Sequence, residues 1–226
     1  MILHLVTDRR RLSGSADWSR MRKCLLSQAR HAVDAEIDFV QIRERDLEAA
    51  DLAALVADVV ALARGTRTRV LVNDRVDVAL ASGAAGVHLR SDSAPAAAVR
   101  SIVPAGFVIG RSVHTVAEAV AAAPEVDYVI AGTVWPLSGK PDSHPVLGVK
   151  GLSDIVRAVN VPVLAIGGVT SDRADAVAMS GAAGVAAIGL FMGPARNGEP
   201  TPCRAAPIGE VARAVRVRFD TSAAAP

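Results

Sequence analysis

Three side chains with anion-binding chemistry, Gln41, Arg43 and Arg45, lie at alternate positions in the chain. On an extended strand that spacing puts them on one face. Aimed into a cavity, two guanidiniums and an amide can hold a carboxylate or diphosphate by bidentate hydrogen bonds. The competing reading pairs Arg43 or Arg45 structurally with Glu44, Asp46 or Asp74. Gly167-Gly168 follows the apolar run Val161–Ile166 and precedes a helical pattern opening near Thr170. Glycines there let backbone amides approach an anion closely, and helix N-termini favour negative charge. Gly189, just after Ile188, is a second small residue suited to the same role. His114, in Arg111-Ser112-Val113-His114, can move protons near neutral pH, whereas His31 and His144 read as structural. The long segment 132–148 carries Lys140 among three prolines and reads as a lid whose lysine reaches a phosphate oxygen.

These residues need elements to position them. Short aliphatic runs alternate with Ala-rich helical patterns, and eight pairs are counted. The strand candidates are Ile2–Val6, Phe39–Ile42, Arg69–Val72, Gly86–Leu89, Val108–Ser112, Tyr128–Ala131, Val161–Ile166 and Gly184–Ala187. Trp18, Met21, Leu25, Ala29 and Ala32 recur at helical spacing, and Glu48–Arg64 and Thr115–Ala123 read similarly. A helix over Asp172–Ser180 is expected to be capped by Thr170-Ser171 and stopped by Gly181. Ser82–Val87 recurs almost letter for letter as Ser180–Val185, half a barrel apart. Eight alternating pairs predict a single (β/α)8 TIM barrel over residues 1–218, with a last helix from about Ile208 to Val217 and a disordered tail at 219–226. A doubly wound open sheet is the runner-up, but no GxGxxG turn follows the first strand. In a barrel, chemistry collects where strands end, and Asn73-Asp74, Ser112, His114 and the glycine loops all fall there.

Composition agrees. The 226 residues carry only 3% aromatics and a net charge of +2, which argues against a nucleic-acid stacking platform. The two cysteines, Cys24 and Cys203, show no CxxC or Cys/His spacing, so neither a disulfide framework nor a zinc site is expected. No apolar stretch reaches membrane-spanning length, and the expectation is a cytoplasmic protein without nucleic-acid or membrane partners.

Taken in order, Leu5-Val6-Thr7-Asp8, Gln41-Ile42-Arg43-Glu44-Arg45, Val72-Asn73-Asp74-Arg75-Val76-Asp77, Gly86-Val87-His88-Leu89 and Ala165-Ile166-Gly167-Gly168-Val169-Thr170 resemble the thiamine phosphate synthase/TenI family. The resemblance spans about Leu3 to Phe191. It implies a small-molecule substrate, thiazole phosphate carboxylate, and two alternative reactions; homodimer formation is left open. A synthase joins hydroxymethylpyrimidine diphosphate to that thiazole and needs Mg2+. A TenI-like tautomerase only isomerises the thiazole, with no cofactor.

The resemblance assigns Gln41, Arg43, Asn73 and Lys140 to the diphosphate or pyrimidine side, with Arg45 where the family usually has lysine. Ser112 is a further substrate contact, and Gly167, Gly168, Ile188 and Gly189 form the phosphate loop. Asp74 matches one magnesium aspartate. The second is replaced by Ser93, with Asp92 one place early, and the phosphate-loop serine is replaced by Gly189. Losing one of two carboxylates weakens a hard-cation site. Gly110–His114 resembles the TenI segment that carries the catalytic histidine, so the sequence narrowly favours the tautomerase, with His114 as proton shuttle. Synthase is the alternative, and a silent thiazole-binding barrel the third reading.

Overall fold

A computed structural model of the protein describes residues 1–136, 145–193, 203–204 and 206–223. Eight parallel strands close on themselves in sequence order: β1 (Ile2–Val6), β2 (Phe39–Ile42), β3 (Arg69–Asn73), β4 (Gly86–Leu89), β5 (Val108–Val113), β6 (Tyr128–Gly132), β7 (Val163–Ile166) and β8 (Gly184–Ala187). Around them run α1 (Arg9–Ser13), α2 (Trp18–Asp34), α3 (Ala49–Ala63), α4 (Val76–Ala81), α5 (Ala96–Arg100), α6 (Val116–Ala122), α7 (Gly148–Ala158), α8 (Ala174–Met179) and α9 (Ile208–Ala223). This is the expected (β/α)8 barrel. β7 starts two residues later than expected because Pro162 has no N–H to give the ladder.

Alternation along each strand divides the apolar residues between two cores. Outward residues such as Leu3, Val40, Val72, Val87 and Ile109 pack against the helices. Inward residues form a smaller cluster of Leu71, Val108, Tyr128, Ile130, Leu164 and Ala186. Tyr128 is the sole tyrosine, and its ring stacks on Phe39 with centroids 5.4 Å apart, flooring the barrel. The repeated Ser-Gly-Ala-Ala-Gly-Val segment serves this closure. A Cβ on Gly86 would meet the Val108 carbonyl oxygen at 2.1 Å, and one on Gly184 the Ile2 carbonyl oxygen at 1.9 Å. At two opposite places in the barrel, neighbouring strands therefore approach through the same glycine.

Three expectations need correction. Thr170 makes no side-chain cap; a 3-10 turn, Ser171–Arg173, precedes α8, which is α-helical only from Ala174. The last helix runs through Ala223 with Phe219 buried, so helix occupies positions 219–223, where a tail was expected. Finally, Cys24 and Cys203 form a disulfide. Spacing rules read only local cysteine pairs; these two are 179 positions apart and meet because α2 and the segment before α9 are barrel neighbours.

Candidate active site

Inward positions become polar toward the C-terminal ends of the strands. The His4 imidazole lies 3.0 Å from Gln41 Oε1, and Gln41 Nε2 donates to Asn73 Oδ1 at 3.0 Å. Because the Gln41 amide nitrogen faces Asn73, its oxygen must accept from His4 Nε2. Burial pushes the His4 pKa down to about 3, against the opposing effect of the Gln41 hydrogen bond, so the ring is neutral. Across the barrel, His88 contacts Tyr128 Oη at 3.1 Å through Nδ1 and Ser112 Oγ at 2.9 Å through Nε2. Burial first, with the neighbouring His4 imidazole and the Arg111 charge adding to it, holds His88 well below the ordinary histidine range. These neutral rings carry the underside of the site and set the amides and hydroxyl above them.

Above this floor opens a cavity of about 1050 Å3. Its walls bring together Gln41, Arg43, Arg45, Asn73, Asp92, Ser112, His114, Gly167, Gly168, Ile188 and Gly189, all predicted from sequence. Five arginines line it (Arg11, Arg43, Arg45, Arg90 and Arg173) against two aspartates, Asp92 and Asp172. A cavity so charged suits a multiply anionic ligand. Lys140, the expected lid lysine, and His144 lie outside the described residues.

β2 ends at Ile42, so Arg43 and Arg45 reach the cavity from the following loop rather than from a strand face. Neither guanidinium has a hydrogen-bond or ion-pair partner among the described residues. Of the carboxylates that could pair with them, Glu44 and Asp46 are held by a residue the motifs did not reveal. Arg9, buried, binds Glu44 Oε2 at 2.9 Å and both oxygens of Asp46 at 2.7 and 2.8 Å. Thr7 Oγ1 donates to Glu44 Oε1 at 2.7 Å and accepts from the Arg43 backbone N–H at 2.9 Å. Burial, offset by the Thr7 and Arg9 hydrogen bonds, raises the Glu44 pKa. Burial and then the neighbouring Arg45 charge lower the Arg43 pKa, opposed by the charges of Asp8 and Glu44.

At the opposite end, Gly167 and Gly168 have φ of 96° and 67°. Cβ atoms there would meet Thr133 Cγ2 at 2.5 Å and Trp135 Cβ at 2.6 Å, so glycine is required for both backbone conformation and space. Arg173 binds the Gly168 carbonyl at 2.5 Å and lies over the Trp135 ring, 5.1 Å from its centroid, bracing this turn. Because α8 is short and preceded by a 3-10 turn, the loop's backbone amides and nearby cations, rather than a helix terminus, carry the anion-binding capacity. His114 stands between the two ends. Its Nδ1 lies 2.6 Å from the Gly132 carbonyl oxygen, which requires the proton on Nδ1 and leaves Nε2 as the basic nitrogen.

The two aspartates named as metal ligands each have another partner. Asp74, in the left-handed region with φ of 64°, lines a small neighbouring pocket rather than the main cavity, and its Oδ1 accepts from Ser93 Oγ. Asp92 is ion-paired to Arg90. Arg111 clamps the intervening loop through the carbonyls of Ser91 and Ala94, at 2.9 and 3.0 Å. No group of three or more His, Cys, Asp or Glu able to hold a metal occurs among the described residues. One carboxylate bound to a serine and another neutralised by a guanidinium do not fit a two-carboxylate magnesium site.

Comparison with known proteins gives a consistent answer. A family model described as thiamine monophosphate synthase matches residues 3–191. The thiamine-phosphate synthase of Roseiflexus castenholzii is 37% identical over 193 residues, covering 85% of this chain and 81% of the relative. That of Methanoculleus marisnigri is 40% identical over 166 residues, covering 73% and 79%. Among solved structures, thiamine phosphate pyrophosphorylase from Pyrococcus furiosus superposes with a TM-score of 0.77 at 28% identity, covering 98% of this chain and 96% of that one.

Proposed function

Because the chain belongs to the thiamine monophosphate synthase family, and so is an enzyme of thiamine biosynthesis, we propose that it couples hydroxymethylpyrimidine diphosphate to thiazole phosphate carboxylate. The observation that carries this reading is the two-ended cavity. One end presents the Gly167-Gly168 and Gly189 loops, and the other Arg43 and Arg45, without an ion-pair partner among the described residues, beside Gln41 and Asn73. Isomerising a thiazole phosphate alone would leave the second end without a ligand. The sequence by itself leans narrowly to that isomerisation; the second anion-ready end and the synthases at 37–40% identity favour coupling.

In the coupling reaction, the methylene C–O bond of the pyrimidine breaks and diphosphate leaves with the electron pair. The thiazole nitrogen attacks the resulting cation, the carboxylate is lost as carbon dioxide, and the electron pair left on the ring carbon takes up a proton from water. Arg43 and Arg45 meet the charge that develops on the leaving group, where preorganised cations stabilise a transition state most effectively. Gln41 and Asn73, held in one hydrogen-bond chain, present amides to the pyrimidine. The phosphate loop holds the thiazole with its nitrogen toward the cation. In the family magnesium supplies further neutralisation of the diphosphate, but Asp74 and Asp92 are arranged otherwise here.

His114 favours a second reading. A basic Nε2 at the rim suits carbon-to-carbon proton transfer in a TenI-like tautomerase. Purified protein incubated with both substrates separates the two. Diphosphate release dependent on thiazole supports coupling. Isomerised thiazole without diphosphate release, abolished by His114→Ala, overturns it in favour of the tautomerase. Binding without either reaction overturns both in favour of the silent barrel.

A further inference from the structure

Arg11 is a cavity residue that neither motif nor family resemblance assigns. It lies on α1, between β1 and α2, and reaches the end of the cavity formed by the β7 and β8 loops. Its Nη2 stands 3.5 Å from the point a Cβ would occupy on Gly189. Its neighbours are consumed: Arg9 by Glu44 and Asp46, and Arg10 by Asp46. Arg173, the other cation at this end, is committed to the Gly168 carbonyl and the Trp135 ring. The Arg11 guanidinium has no hydrogen-bond or ion-pair partner among the described residues.

The backbone beneath Arg11 is held on both sides. Asp8 Oδ1 caps α1 by accepting from the Arg11 N–H at 3.1 Å. The Leu12 carbonyl accepts from the Arg204 N–H at 2.8 Å, and the Arg11 carbonyl from Arg204 Nη1 at 3.3 Å. Arg204 follows Cys203, which the disulfide ties to α2. A free cation on an anchored stem, beside a loop whose glycines expose backbone amides, is the arrangement that a phosphate dianion requires. Amides alone supply partial charges; a guanidinium supplies a full charge and two aligned donors.

We infer that Arg11 binds the phosphate of the thiazole substrate and makes the site selective for the phosphorylated over the unphosphorylated thiazole. Gly189 is the complement of this role. It is not among the positive-φ glycines, and a side chain there would stand at ordinary contact distance from Arg11, in the space between guanidinium and loop. A hydroxyl at position 189 and a guanidinium at position 11 are therefore alternative ways of completing one phosphate subsite. The inference rests on the assignment of this end of the cavity to the thiazole phosphate, and not on which reaction follows.

Calorimetric titration of the full chain tests it, with thiazole phosphate carboxylate, unphosphorylated thiazole carboxylate and inorganic phosphate as probes. Arg11→Gln should weaken the two phosphate-bearing probes by about 10- to 100-fold, as loss of a charge-assisted hydrogen bond does, and leave the unphosphorylated thiazole within about twofold. Arg11→Lys should recover part of the loss, and Gly189→Ser in the Arg11→Gln background should recover part by another route. Arg10→Gln, which alters the adjacent surface cation, should leave every affinity unchanged. Equal weakening of phosphorylated and unphosphorylated thiazole, or no change for inorganic phosphate, overturns the inference. Absence of diphosphate release in the wild type overturns the coupling reading alone, since these titrations involve no turnover. Wild-type protein that binds none of the phosphate-bearing probes overturns both.

Discussion

The guanidinium of Arg90 is ion-paired to the carboxylate of Asp92, two positions further along the same loop. That pairing, with the Ser93 hydroxyl on Asp74, gives both carboxylates on which a divalent cation would depend a competing partner. Magnesium binding to the wild-type protein should therefore be weak. Converting Ser93 to Asp together with Arg90→Gln restores a second carboxylate beside Asp74 and removes the competing cation. Titration should then show at least about a tenfold gain in magnesium affinity. Equal affinity in wild type and double variant would show that Asp74 and Asp92 already converge on the ion.

His114→Asn separates coupling from isomerisation. Bond breaking to diphosphate needs no carbon acid, so coupling should fall by less than about tenfold in kcat. A proton shuttle depends on its base, and isomerisation should fall by about 10²- to 10⁴-fold. Parallel assays of the two reactions on one preparation of the variant supply the comparison.

The neutral histidines under the site make stability pH-dependent. The folded-state pKa of His4 is depressed from 6.5 to about 3, so below pH 6.5 the unfolded chain takes up a proton that the folded chain excludes. The contribution is fully present above pH 6.5 and is lost as pH falls toward 3. By pH 5 His4 alone should remove about 2 kcal/mol. His88, shifted in the same direction, adds to the slope. Denaturant melts between pH 8 and 5 should show this decline, and His4→Gln should make it shallower by one proton's worth, whatever its absolute stability.

Arg9 and Glu44 should be strongly coupled. Their side chains are only 8% and 3% exposed, so removing one partner strands the other's charge in the interior. Arg9→Met should cost about 3–5 kcal/mol, and the double replacement Arg9→Met with Glu44→Met should recover most of it. Since Thr7 joins Glu44 to the Arg43 backbone, the single variant should also weaken binding of inorganic diphosphate. A loss in the double variant equal to that in the single would show that packing, not charge, dominates.

Replacing Cys24 and Cys203 by serine should lower stability by about 2–4 kcal/mol, because the bond closes a long loop in the unfolded chain. Reductant should lower the wild-type Tm in the same way and leave the variant unchanged. Insensitivity of the wild type to reductant would exclude the bond in solution.

The barrel was legible because its determinants are local. Aliphatic runs of strand length, Ala-rich helical periods and stops such as the repeated Ser-Gly-Ala-Ala-Gly-Val segment each declare themselves within a few residues. Errors fell at edges, where single residues compete: Pro162 delays β7, and Thr170 precedes a 3-10 turn it does not cap. The cavity residues could be named too, because alternation and strand ends place Gln41, Asn73, Ser112 and the glycine loops on one face.

The tertiary structure decided who partners whom. That Arg9 rather than Arg43 neutralises Glu44, that Arg90 holds Asp92, and that Cys24 meets Cys203 are pairings fixed by how loops and neighbouring elements of the closed barrel come together. Spacing cannot encode them, since a charge or thiol is claimed by whichever group the closed barrel brings within bonding distance. The sequence by itself therefore determined a barrel with a polar mouth and a family of reactions. The closed fold decided which cations at that mouth meet an anion, and among the described residues it gives Arg11, Arg43 and Arg45 no hydrogen-bond or ion-pair partner while Glu44 and Asp46 go to Arg9.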